Sequence, residues 1–243
     1  MPDKTLKSLK LETPDKFGKF LHVLWDELYW ANFYYDIFKE ASRLCKEHDK
    51  AVKFSPYFWH FTLQAHCQTA LVHLHCIYDQ NKESFNLHRF LLTVRDNKSI
   101  FHPGAVRERR KSDPHAEDLM ESIGELDSTQ LELDIKYASL ANPKVENLKR
   151  WRDRITFHKD ERELFREKPF EQEFPLTFGD IDELLNEALK NLNRYSQYFD
   201  TTIYSTGCRE WKDMSFVFEA LEHHPAFIRR RQEIEQLKRL GLA

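Results

Sequence analysis

Glycine is scarce in this chain: six in 243 residues, at Gly18, Gly104, Gly124, Gly179, Gly207 and Gly241. No two stand close enough to build a loop whose backbone amides could cradle a phosphate, which excludes Walker-type and dinucleotide-binding fingerprints. A nucleophile elbow is excluded for the same reason. Long apolar runs are missing too. The nearest, Phe17 to Phe38, is interrupted by Lys19, Asp26, Glu27 and Asp36, so it reads as an aromatic-rich core helix and no membrane partner is expected. The opening Met-Pro-Asp-Lys-Thr-Leu-Lys has no apolar targeting segment. Four cysteines, Cys45, Cys67, Cys76 and Cys208, lack framework spacing, as expected of reduced thiols in a cytoplasmic chain. Neither a helical His-Glu-x-x-His nor a Cys-x-x-Cys pair occurs, so the common zinc signatures fail and no metal or cofactor is expected. A net charge of −3 argues against a bulk nucleic-acid coat protein and leaves room for local basic patches.

Aromatic side chains are plentiful. They make up 14% of the chain, with 19 Phe, and hydrophobic residues reach 41%, enough for one full core. Four times a capping residue precedes proline and a helical pattern: Thr13-Pro14, Ser55-Pro56, Asp113-Pro114 and Asn142-Pro143. Each predicts a helix start, because the side-chain oxygen accepts an orphan amide and proline at the first position gives up no hydrogen bond. Thr177 with Asp180 three residues on is a variant capping box ahead of apolar residues at helical spacing from Phe178 to Phe199. The pattern predicts helices near 14–49, 56–81, 86–96, 114–123, 128–140, 143–159, 178–205, 211–222 and 226–239, and no strand. Residues 97–112 read as an exposed loop with a basic end, and 161–175 as a second irregular stretch. The expected organisation is a flexible N-terminus over 1–13, a helical bundle over 14–206 and a C-terminal helical extension over 207–243.

The sharpest chemical signal is Trp151-Arg-Asp-Arg-Ile-Thr-Phe-His158. At about 100° per residue, Val145, Leu148, Trp151 and Ile155 form one apolar face, with Arg152 and His158 on either side of its centre. A guanidinium beside an apolar face requires a partner or a wet cleft. Arg152 and His158 stand about 120° apart, whereas Arg154 and His158 stand about 40° apart, so Arg154 shares the candidacy for a phosphate. A blander reading pairs Arg152 with a carboxylate across the bundle and lets His158 cap the helix C-terminus. His66, His73 and Cys76 share a side of one helix, but no fourth ligand accompanies them and a core role is favoured. His223-His224-Pro225 reads as a helix junction. Arg107, Arg109 and Arg110 form a second basic run able to contact phosphate. The arginines at 229–231, followed by Glu233 and Glu235, read as a solvated face.

Arg152-Asp153, a short spacer and His158 on one helix of an all-helical chain resemble the signature of the HEPN superfamily. Phe58-Trp59, Ile77-Tyr78-Asp79, the stretch Ser84 to Leu92 and His158-Lys159-Asp160 are similar to the branch named for the second protein of the abortive-infection U system. The resemblance covers most of residues 15 to 205. It implies an all-α HEPN-like bundle, here with additional C-terminal helices, that homodimerises and brings two Arg/His pairs into one cleft. In active members it implies metal-independent cleavage of RNA. The residue types suit that chemistry. His158 has the near-neutral basicity needed to take a proton from a 2′-hydroxyl, and Arg152 the fixed charge needed by a phosphorane. Asp153 is placed to orient a side chain, about 140° from His158 and so toward a dimer partner. Lys159 and Arg154 are candidate phosphate contacts. The alternative is a non-catalytic module that binds RNA or a partner protein such as an antitoxin.

Overall fold

The computed structural model describes residues 6–11, 13–113, 124–156, 169–207 and 212–240, with the side chains of 154–156, 212, 227, 230 and 231 left out. All regular structure among them is helical: α1 (Pro14–Glu47), α2 (Asp49–Phe54), α3 (Pro56–Tyr78), α4 (Leu87–Asp96), a 3-10 turn (Lys98–Phe101), α5 (Pro103–Arg109), α6 (Ser128–Tyr137), α7 (Pro143–Thr156), α8 (Phe170–Glu173), α9 (Phe178–Asp200), α10 (Lys212–His223) and α11 (Pro225–Arg239). The all-α expectation holds. No described helix is long and apolar enough to cross a membrane.

The cap-proline pairs explain where helices begin. α1, α3 and α7 start at Pro14, Pro56 and Pro143, and Asn142 accepts the Lys144 amide at 3.0 Å. The helix expected from the pair at 113–114 lies outside the described residues. At α9 both halves of the capping box form: the Thr177 hydroxyl accepts the Asp180 amide at 3.1 Å, and the Asp180 carboxylate accepts the Thr177 amide at 2.9 Å.

Several stretches differ from expectation, including the short α8 inside 161–175 and the separate α2 after α1. Residues 98–101 and 103–109 are helical where an exposed loop was expected, because His102-Pro103 obeys the same rule with an imidazole as cap, accepting the Gly104 amide at 3.2 Å. His224-Pro225 does the same for α11, as the helix-junction reading implied. α9 stops at Asp200 rather than near 205. Thr201 turns left-handed at φ 62°, and the chain doubles back so that the Asn193 side chain pairs with both the amide and the carbonyl of Tyr204.

The chain forms two compact units, one from Met1–Ala31 and Leu71–Thr206, the other from Asn32–Ala70 and Gly207–Ala243. In the first, α9 buries Ile181, Leu184, Leu185, Ala188, Leu192, Tyr195 and Phe199 along one stripe. Phe17 of α1 meets Phe90, Phe101 and Phe199 at centroid distances of 5.0, 5.0 and 4.8 Å. Tyr78 closes α3 inside this core, its hydroxyl donating to the Leu184 carbonyl at 2.7 Å. The second unit packs Leu44, Ala51, Trp59 and Phe218, with the Trp59 and Phe218 rings stacked at 4.3 Å. The aromatics of α1 divide accordingly: Phe17, Phe20 and Tyr35 are buried, while Trp25, partly exposed, stacks on Tyr204 at 4.7 Å.

Candidate active site around Arg152

α7 is rolled by its apolar face. Val145 and Leu148 are buried, and Trp151 anchors the face by donating its indole N–H to the Phe174 carbonyl at 2.8 Å and meeting Phe170 edge-on at 5.4 Å. The next residue, Arg152, is therefore directed at the last turn of α3. Its Nη1 lies 2.6 Å from His75 Nε2 and 3.9 Å from Asp79 Oδ1. Its Nε donates to Asp153 Oδ1 at 2.8 Å, and Nη2 donates to the same oxygen. The guanidinium side chain is 25% exposed, so it is held in place yet remains in reach of solvent.

His75 is the buried member, 5% exposed. Its Nε2 faces two groups that ask for opposite protonation states: the guanidinium needs the lone pair at 2.6 Å, and the Asp79 carboxylate at 3.6 Å would take a proton. The guanidinium has no lone pair and must donate, so the shorter contact decides for the neutral ring with its proton on Nδ1, an atom that is buried with no hydrogen-bond partner among the described residues.

Asp79 is fixed from below by a polar turn. Its Oδ1 accepts the Asn81 amide at 3.2 Å, Asn81 Oδ1 accepts the Glu83 amide at 3.1 Å, and the turn ends at Asn86, which caps α4 by accepting the Arg89 amide at 2.8 Å. Burial pushes the Asp79 carboxyl up, but hydrogen bonds at Ser84 and the Asn81 amide pull it the other way and hold the group below the ordinary carboxylate range. A carboxyl lowered on folding stabilises the fold fully above its unfolded value of about 3.9 and loses that contribution as pH falls through its lower folded value. Replacing Asp79 by Asn is thus expected to lower unfolding free energy by on the order of 1 kcal/mol at neutral pH. The gap between the two proteins in urea titrations should close as pH falls below about 4.

The other expected site residues fall as follows. Asp153, expected to orient a side chain, accepts from Arg152 of its own helix. The Arg154 side chain, His158 and Lys159 lie outside the described residues. Arg107 is exposed on α5. Arg109 and Arg110 are engaged with the end of α9: the Arg109 guanidinium donates to the Phe199 carbonyl at 2.6 Å and the Ile100 carbonyl at 2.6 Å, and Arg110 donates to the Thr201 hydroxyl at 2.6 Å. That is how a helix C-terminus uses cations. His73 bonds Glu27 at 2.8 Å and His66 stacks on Tyr34 at 5.9 Å. Burial, with Glu27 and Asp79 nearby, raises the Cys76 thiol to about 11, far from a thiolate at neutral pH. Among the described residues no cluster of three or more His, Cys, Asp or Glu could hold a metal.

Sequence reasoning passed over His75 and met Asp79 only within a longer motif. A signal was available, since positions i and i+4 of one helix share a face. Their approach to residue 152, more than seventy positions away, left no local trace. A family model described as AbiU2, of the HEPN group, matches residues 14–223. No curated protein and no solved structure matches the chain.

Proposed function

The chain belongs to the AbiU2 family of abortive-infection-associated HEPN proteins, and on that premise we propose that it is a metal-independent endoribonuclease whose Arg/His cleft is completed by homodimerisation. The observation that carries the reading is the guanidinium of Arg152: partly exposed, oriented on two edges, and six residues before His158 on the chain.

In this reaction His158 takes the proton of an RNA 2′-hydroxyl as that oxygen attacks the adjacent phosphorus. Arg152 stabilises the negative charge that builds on the non-bridging oxygens. The bond from phosphorus to the 5′-oxygen breaks, that oxygen leaves with a proton, and the products are a 2′,3′-cyclic phosphate and a 5′-hydroxyl. Arg154 and Lys159, on either side of His158 in the sequence, are further candidate cations for the phosphate backbone, with Arg107, Arg109 and Arg110 as a second candidate set.

The test is cleavage of a mixed RNA pool in excess chelator. Wild type is expected to cut and leave cyclic phosphate ends, and folded His158→Ala to be slower by about 10²-fold. Activity that disappears with the chelator, or a folded His158→Ala that cuts as fast as wild type, removes the reading. A second reading draws on one observation: Asp153 accepts from Arg152, and Asp79 stands 3.9 Å away, as in a structural ion-pair cluster. It makes the chain a non-catalytic module that binds RNA or a protein partner such as an antitoxin. A wild type that dimerises and leaves all RNA intact selects it.

A further inference from the structure

A guanidinium can be oriented by a carboxylate or by a neutral acceptor, and the two choices have different consequences. A carboxylate in close contact cancels the charge that a phosphorane would use, while a neutral nitrogen fixes the geometry and leaves the charge in place. At Arg152 the Nη1 edge is held by the neutral acceptor, His75 Nε2 at 2.6 Å, and the cross-helix carboxylate, Asp79, stands off at 3.9 Å. Asp153 already supplies one carboxylate, on the Nε and Nη2 edge, so a neutral acceptor on the other edge adds no second negative charge. The Nδ1 atom of the same imidazole ring is buried with no hydrogen-bond partner among the described residues.

We propose that His75 is the positioning residue for Arg152. It accepts from Nη1 to fix the guanidinium plane without adding a carboxylate to the one that Asp153 supplies, and Asp79, pinned by the turn after α3, limits where the imidazole and guanidinium can sit. This rests on the nuclease reading above, in which Arg152 stabilises the transition state. His75 is too deeply buried to touch RNA itself, so its effect passes through Arg152.

The test uses the full-length chain in excess chelator with a short single-stranded RNA. It compares wild type, His75→Phe, His75→Gln, Arg152→Ala and the His75→Phe/Arg152→Ala double variant, each checked by circular dichroism and thermal melting. Phenylalanine fills the ring's space with no acceptor, and the glutamine amide oxygen reaches roughly where Nε2 sits. His75→Phe is expected to lower kcat by about 10²-fold, the usual loss for a misplaced group, with KM changed less than about threefold. His75→Gln should recover about tenfold of that, and His75→Phe should add little to Arg152→Ala, because both remove the same interaction. Should His75→Phe fail to fold, His75→Gln against wild type carries the comparison, with a kcat loss under about tenfold expected and a loss as large as that of Arg152→Ala overturning the proposal. A folded His75→Phe with wild-type kcat overturns it, as do losses that multiply in the double variant. An inactive wild type is a different result: it ends the nuclease reading, and this inference with it.

Discussion

Arg152→Ala is expected to lower the single-turnover rate of RNA cleavage by about 10³-fold while the helical fold is retained. The size follows from what the guanidinium is placed to do. Charge on the non-bridging oxygens grows only as the phosphorane forms, so a cation already oriented on both edges acts on the barrier more than on ground-state binding. Retention of the fold follows from burial: Val145 and Leu148 hold α7 in the core, and Trp151 ties it to Phe174. Arg152→Lys separates charge from shape. An ammonium keeps the charge and loses the planar fork that meets His75 on one edge and Asp153 on the other, so recovery of less than about tenfold is expected. Quench-flow rates at saturating protein, beside melting curves, check both. If Arg152→Ala lowers the melting temperature and RNA cleavage is unchanged, the cluster with Asp79 and Asp153 is structural and the alternative module reading gains.

What could be read in the sequence was whatever is decided within a few residues. Thr177-x-x-Asp180 and the cap-proline pairs act through bonds spanning two or three positions, and helix starts at Pro14, Pro56, Pro143 and Phe178 followed. At His102-Pro103 the capping acceptor is an imidazole, outside the usual set of capping side chains, and the helix there has the sequence of a loop. The end of α9 is not written nearby because what stops it is distant: Arg109, ninety positions upstream, donates to the Phe199 carbonyl, and the backbone turns at Thr201. The candidate site divides in the same way. Arg152 and Asp153 were visible as a polar pair beside an apolar helical face. The acceptor that orients Arg152 comes from α3, and nothing in the run from 143 to 156 says which helix will lie opposite.

The largest loss of stability is expected from a residue remote from this chemistry in sequence. Asp134 of α6 is 5% exposed, and its two oxygens serve three donors: Gln130 on one side at 2.7 Å, and the Tyr195 hydroxyl, at 2.7 Å, together with Arg194 on the other. Removing the carboxylate leaves a hydroxyl inside the core and a partly buried guanidinium with no counter-charge from α6. Such a break costs about 3–5 kcal/mol. Domains of this size are stable by roughly 5–15 kcal/mol, so Asp134→Ala is expected to shift the urea midpoint severely. Tyr195→Phe removes one neutral donor and leaves Arg194 to the same carboxylate, so it should cost only about 1–2 kcal/mol. In the double variant the two losses should fall short of their sum, because the tyrosine bond is already gone once the carboxylate is removed. Additive losses would mean that Asp134 acts through Arg194 and Gln130 alone. The same variant separates stability from chemistry: below its melting range Asp134→Ala should cut RNA at close to the wild-type rate, since Arg152 is oriented by His75 and Asp153 rather than by the donors that Asp134 serves. A slow rate in the folded variant would instead tie the α6–α9 packing to the position of α7.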